Sequence, residues 1–123
     1  MTEVEINKAL NQAAAAHRAG KIQDAIRYNR IILKFQPKHS EANHNLGTLA
    51  VSVGQAKEAL PFLKVALEEN LSSAQFWYSY IDCFINLGKF NEAKVLLLSA
   101  KSKGASGDAF DQLQKQLDEV DMR

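Results

Sequence analysis

Gly20, Gly54 and Gly88 stand 34 residues apart, and Ala25, Ala59 and Ala93 follow them five places later with the same spacing. A period of this length means that the chain repeats one supersecondary unit, which can bury its apolar face only against its neighbours. The local text agrees in all three copies: Gly20-Lys21-Ile22-Gln23-Asp24-Ala25, Gly54-Gln55-Ala56-Lys57-Glu58-Ala59 and Gly88-Lys89-Phe90-Asn91-Glu92-Ala93. Each unit reads as two short helices with glycine at the turn. The spacing predicts helices over 6–18, 40–52 and 74–86 before the turns, and over 22–35, 56–69 and 90–102 after them. Apolar residues recur at helical intervals, as in Ile22, Ala25, Ile26, Ile32 and Leu33, with Asn29 the one break.

Glycine accepts the positive φ that ends the first helix of each pair, where a residue with a Cβ is strained. The alanine five places on lets two antiparallel helices approach closely. Ser40 and Ser73 stand where N-caps are expected, and Pro37 falls just beyond the helix ending near Phe35. Pro61 lies inside the second helix of the middle unit, where it frees the Lys57 carbonyl and is expected to bend the helix.

Composition supports an all-α reading. Only two prolines and six glycines occur among 123 residues, against many Ala, Leu, Lys, Glu and Gln. A hydrophobic share of 46% with a net charge of +1 excludes a disordered chain, and the near-neutral balance argues against a nucleic-acid partner. A lone cysteine, Cys83, excludes an internal disulfide and a cysteine-based zinc cluster, and is expected to fill the core. With no basic region ahead of an apolar run and no membrane-length apolar stretch, the expectation is a cytoplasmic chain without a membrane partner.

Beyond the third unit, Gly104-Ala105-Ser106-Gly107 leads into 108–123, with Asp108 as a candidate N-cap. Phe110, Leu113, Leu117 and Val120 form one apolar stripe, opposite Asp111, Gln114, Lys115, Asp118 and Asp121. This segment holds five acids and two bases, whereas 1–107 holds nine acids and thirteen bases. It reads as a solvating helix that covers the end of the last repeat.

The pattern resembles the tetratricopeptide repeat, a 34-residue helix–turn–helix unit. With units at 6–39, 40–73 and 74–107 behind a tail at 1–5, the second matches in Leu46, Gly47, Ala59 and Ala66. The third matches in Trp77, Ala93 and Ala100, with Phe84 at the usual tyrosine, and the first in Ala25 and Pro37, with Ala13 at the small position. Leu63 and Leu97 replace an aromatic, and Ile81 replaces the small glycine, which is expected to splay the third pair. The resemblance implies a right-handed α-solenoid of three units plus the capping helix. Phe76, Trp77, Tyr80 and Phe84 are then core residues.

It also implies that the first helices line a concave face. The inward residues would be Asn7, Leu10, Asn11, Ala14, His17 and Arg18, then Glu41, His44, Asn45, Thr48, Val51 and Ser52, then Gln75, Tyr78, Ser79, Asp82, Ile85 and Asn86. Such a groove is rich in amides, hydroxyls and imidazoles, which can satisfy the main chain of an extended peptide. Asn11 and Asn45 share one register place, with Ser79 third. This is similar to the asparagine ladder of O-linked N-acetylglucosamine transferases. Tyr78 is expected to stack on a ligand side chain. The carboxylate clamp of chaperone-binding repeats is excluded, because Leu10, Ala14, Asn45, Gln75 and Ser79 offer one match of five and no paired cations.

His39 and His44 are five apart, on different helix faces, which argues against a metal pair. No phosphate loop, nucleophile elbow or carboxylate pair is present, so neither a cofactor nor catalysis is expected of this chain. The leading expectation is an interaction module for a peptide or protein. The alternative is a segment that presents substrate to a bacterial glycosyltransferase or sulfotransferase domain, on the texture of 76–82 and the 104–107 link. Self-association through an exposed repeat face is a third reading.

Overall fold

The computed structural model describes residues 1–122, and the helices follow the repeat. Among the described residues they are α1 (Glu3–Arg18), α2 (Ile22–Phe35), α3 (Ser40–Ser52), α4 (Ala56–Glu69), α5 (Ala74–Asn86), α6 (Phe90–Ser102) and α7 (Asp108–Asp121). The fold is an all-α solenoid. Consecutive helices pack antiparallel in pairs, and the pairs stack. No helix of the described residues is long and apolar enough to cross a membrane.

The turns within the three helix pairs close in the same way. Gly20, Gly54 and Gly88 take φ of 76°, 81° and 73°. Beside them Lys21, Gln55 and Lys89 donate their N–H groups back to Ala16, Ala50 and Phe84 carbonyls at 2.8, 2.8 and 2.9 Å. This is the six-to-one bond of a Schellman motif, repeated with the 34-residue period. Ala25, Ala59 and Ala93 are at most 1% exposed, as close helix approach requires.

Three element ends differ from the sequence expectation. Residues 3–5 are helical rather than a tail, because Thr2 caps α1: its hydroxyl accepts the Glu5 N–H at 3.2 Å, and Glu5 accepts the Thr2 N–H at 3.0 Å. That backbone bond also holds the Glu5 carboxyl below its ordinary pKa. His39, not Ser40, caps α3, its Nδ1 accepting the Ala42 N–H at 3.1 Å. Gly107 with φ 109° precedes α7, so Asp108 sits in the first turn, where its charge complements the positive end of the helix dipole. Ser73 caps α5 as expected, through a 3.2 Å bond from the Phe76 N–H. Helix α4 runs through Pro61 as one element, with the ring exposed.

The largest cluster joins Phe76, Trp77, Ile81, Leu97 and Ala100 to Phe110, Leu113 and Leu117, so α7 completes the core of the last pair. Lys94 pairs with Asp121, and Lys101 donates to Gln114 at 2.9 Å, across the same joint.

Candidate functional site

The first helices of successive pairs touch through one recurring contact. His44 stacks on Phe76 with centroids 4.7 Å apart, and 34 residues later Tyr78 meets Phe110 edge-on at 6.2 Å. The corresponding pair at the first junction is Leu10 and Ala42, which share an apolar cluster without a ring. Two expectations change here. His44 is not an open groove group. It is 6% exposed, its Nε2 lies 2.7 Å from the Ser79 Oγ, and burial holds its pKa below the ordinary imidazole value. Tyr78 is half-buried and serves to seat α7 rather than standing free as a platform. Both follow from one cause: the fifth residue of a first helix faces the next first helix as much as the groove.

Further along α5, Asp82 and Asn86 are spent on each other. The Asn86 Nδ2 donates to the Asp82 carbonyl at 2.9 Å and to its carboxylate at 3.2 Å. Burial raises the Asp82 pKa, against the pull of that hydrogen bond. Cys83 is fully buried, its Sγ lies 3.2 Å from the Ala56 carbonyl, and burial pushes the thiol up to about 11, so it is inert filler. Asn7, Asn11, Arg18, Glu41, Gln75 and Asn86 are exposed. Among the described residues no three His, Cys, Asp or Glu side chains converge to hold a metal ion.

Several of the polar groove residues meet in one place. Between α1, α2 and α3 lies a cavity of about 130 Å³ lined by His17, Glu41, Asn45 and Thr48, over Leu10, Ala13, Ala14 and Leu49. Its floor is Asn29, the apparent break in the α2 stripe. Asn29 is 1% exposed and stands where the other two repeats bury Leu63 and Leu97. Its Nδ2 donates to the Ala25 carbonyl at 2.9 Å, and its Oδ1 accepts from the Asn45 Nδ2 at 3.2 Å. A buried amide is tolerated at a leucine position because both its ends are bonded.

Sequence reasoning missed Asn29, although its register place, aligned with two leucines, was a signal. It also missed Asn43, one period before Trp77. Asn43 donates to the carbonyls of Pro37 and His39 at 3.0 and 2.9 Å, as the Trp77 Nε1 donates to Leu71 at 2.8 Å. Each fixes the loop ahead of its own helix.

The comparisons agree with this architecture. A family profile described as tetratricopeptide repeat matches residues 50–117. No curated protein matches the sequence. Among solved structures, the first repeat domain of Spaghetti bound to an HSP90 peptide superposes with a TM-score of 0.89 at 12% identity, over 100% of this chain and 98% of that one. The Yersinia enterocolitica type III secretion chaperone SycD, in complex with a peptide of the translocator YopD, gives 0.79 at 18% identity, over 96% and 90%. A Thermobaculum terrenum O-GlcNAc transferase gives 0.76 at 24% identity over 85% of this chain, which spans only 20% of that protein. These likenesses show the fold, and the profile covers more than half of the residues. The chain belongs to the tetratricopeptide repeat family.

Proposed function

We propose that this chain is a non-catalytic interaction module that holds an extended peptide, or an extended segment of a partner protein, along the concave face of α1, α3 and α5. The observation that carries this reading is the cavity between α1, α2 and α3, whose rim is polar and whose walls are apolar. Asn11 and Asn45 share a register place on that face. Asn11 is exposed, and Asn45 keeps its Oδ1 and one N–H beyond its bond to Asn29. Two such amides at one depth suit the N–H and C=O groups of a peptide main chain. Two of the solved relatives carry peptides, which is consistent with this use of the fold.

The test is a random peptide display selection, followed by titration of a recovered peptide. Replacing Asn11 and Asn45 together by Ala should weaken binding by about 1–3 kcal/mol per amide, the cost of stranding buried backbone groups. The loss should be similar for unrelated peptides and nearly independent of salt, since no charge is neutralised. Undiminished affinity in a fully helical double variant would move the binding surface off the concave face.

A second reading, that the segment presents substrate to a transferase domain, draws on the texture of 76–82, the 104–107 link and the shared register of Asn11 and Asn45. It uses the same groove as a substrate cradle. A native reading frame extending several hundred residues past Arg123 supports it, and a short frame opposes it.

A further inference from the structure

We propose that the cavity between α1, α2 and α3 is a subsite for one lysine side chain of the bound peptide, an inference that rests on the groove reading above. The orientation of its amides is forced. The Ala25 carbonyl can only accept, so Asn29 must turn its Nδ2 toward it and leave its Oδ1 toward Asn45. Asn45 must then offer Nδ2 to that oxygen, which leaves its own Oδ1 free to accept. The Thr48 hydroxyl donates to the Asn45 carbonyl at 3.0 Å, so its lone pairs also remain. Glu41 completes the rim as an exposed carboxylate without an ion-pair partner among the described residues. The set is therefore acceptor-rich and bears one negative charge. His17 is the other titratable group lining the cavity, and Arg18 does not line it.

Shape and size narrow the ligand. Leu10, Ala13, Ala14 and Leu49 offer apolar wall to methylenes, and a volume of about 130 Å³ admits the end of one side chain. A lysine beyond its Cβ has three methylenes and an ammonium. It carries its single ammonium to those acceptors on a straight apolar stem, whereas an acidic side chain would face Glu41 and further acceptors. The polar floor is particular to the first repeat, where Asn29 replaces the leucine that the other two repeats bury. A polar residue at a core position, compensated by its own hydrogen bonds, marks a place where packing yields to binding.

The experiment is the same peptide selection, read for residue preference at each position, followed by titration of the lysine peptide and its norleucine and arginine analogues. Lysine should be fixed at one position, and norleucine should bind at least about tenfold more weakly, with the gap shrinking as salt rises. Glu41→Gln, an exposed change that spares the fold, should bring the two peptides closer together. Asn29→Leu, which restores the residue type of the other repeats, removes the oxygen that orients the Asn45 amide and should weaken the lysine preference in a helical protein. Peptides recovered without a fixed lysine, or a lysine preference untouched by both variants, would overturn the subsite and leave the groove reading standing. If no peptide is recovered, both readings fall.

Discussion

At Gly47 a missing methyl decides how closely two helices meet. A Cβ built there would lie 2.4 Å from the Leu63 Cδ2 and 2.5 Å from its Cγ. Leu63 is itself 1% exposed and has little room to withdraw. Two effects oppose each other in Gly47→Ala. Helix propensity favours alanine by about 1 kcal/mol, whereas overpacking a filled core costs about 1–3 kcal/mol. The second should win, with a net loss of roughly 1 kcal/mol seen as a lower urea midpoint at unchanged slope. A raised midpoint would show that Leu63 swings aside freely. Adding Leu63→Ala should remove the clash, so the two changes together should cost less than their sum.

The same register place explains how the helix pairs differ. It holds Gly47 in the second pair, Ala13 in the first and Ile81 in the third, all buried. Helices α3 and α4 share the most extensive close contact, α1 and α2 follow, and α5 and α6 share the least. The order is that of side-chain bulk at this place. Element ends obey a different control. Helix α1 begins at Glu3 only because Thr2 and Glu5 satisfy each other's backbone N–H groups. Thr2→Ala should cost about 0.5–2 kcal/mol and speed hydrogen exchange in the first turn, leaving α7 protected. Uniformly faster exchange in both helices would mean that the cap supports the whole array instead of one end.

Across the whole molecule, His44 fastens the second repeat to the third, between Phe76 and Ser79. Burial keeps its folded pKa below the unfolded value of about 6.5, so the unfolded chain binds more protons as the solution is acidified. The contribution of the neutral ring is full above that unfolded value and is lost as pH falls through the folded pKa. Urea midpoints should therefore drop on acidification below about pH 6.5, and His44→Gln should flatten that limb. Asp82, with its raised pKa, works the other way at lower pH, so the difference between the two proteins is the quantity to read. Parallel curves would show that His44 does not titrate differently on folding.

The sequence by itself determined the period, the helix pairs, the glycine turns and the alanines between helices, because those depend on local backbone preference and on size at fixed spacing. It also marked the α7 stripe, since an apolar face at helical intervals must be covered whatever covers it. Only the tertiary structure decided which inward residues stay open. His44 and Tyr78 occupy groove positions in register yet are taken by rings 32 residues further along the chain, at Phe76 and Phe110. Asn29 broke the stripe in the sequence and became the floor of the cavity, because its two bonds run to a carbonyl in its own helix and to an amide in the next pair. A spacing rule reports which face a side chain occupies. Whether that side chain is free depends on the size and hydrogen-bonding groups of a neighbour brought close by packing between repeats, which no local pattern encodes.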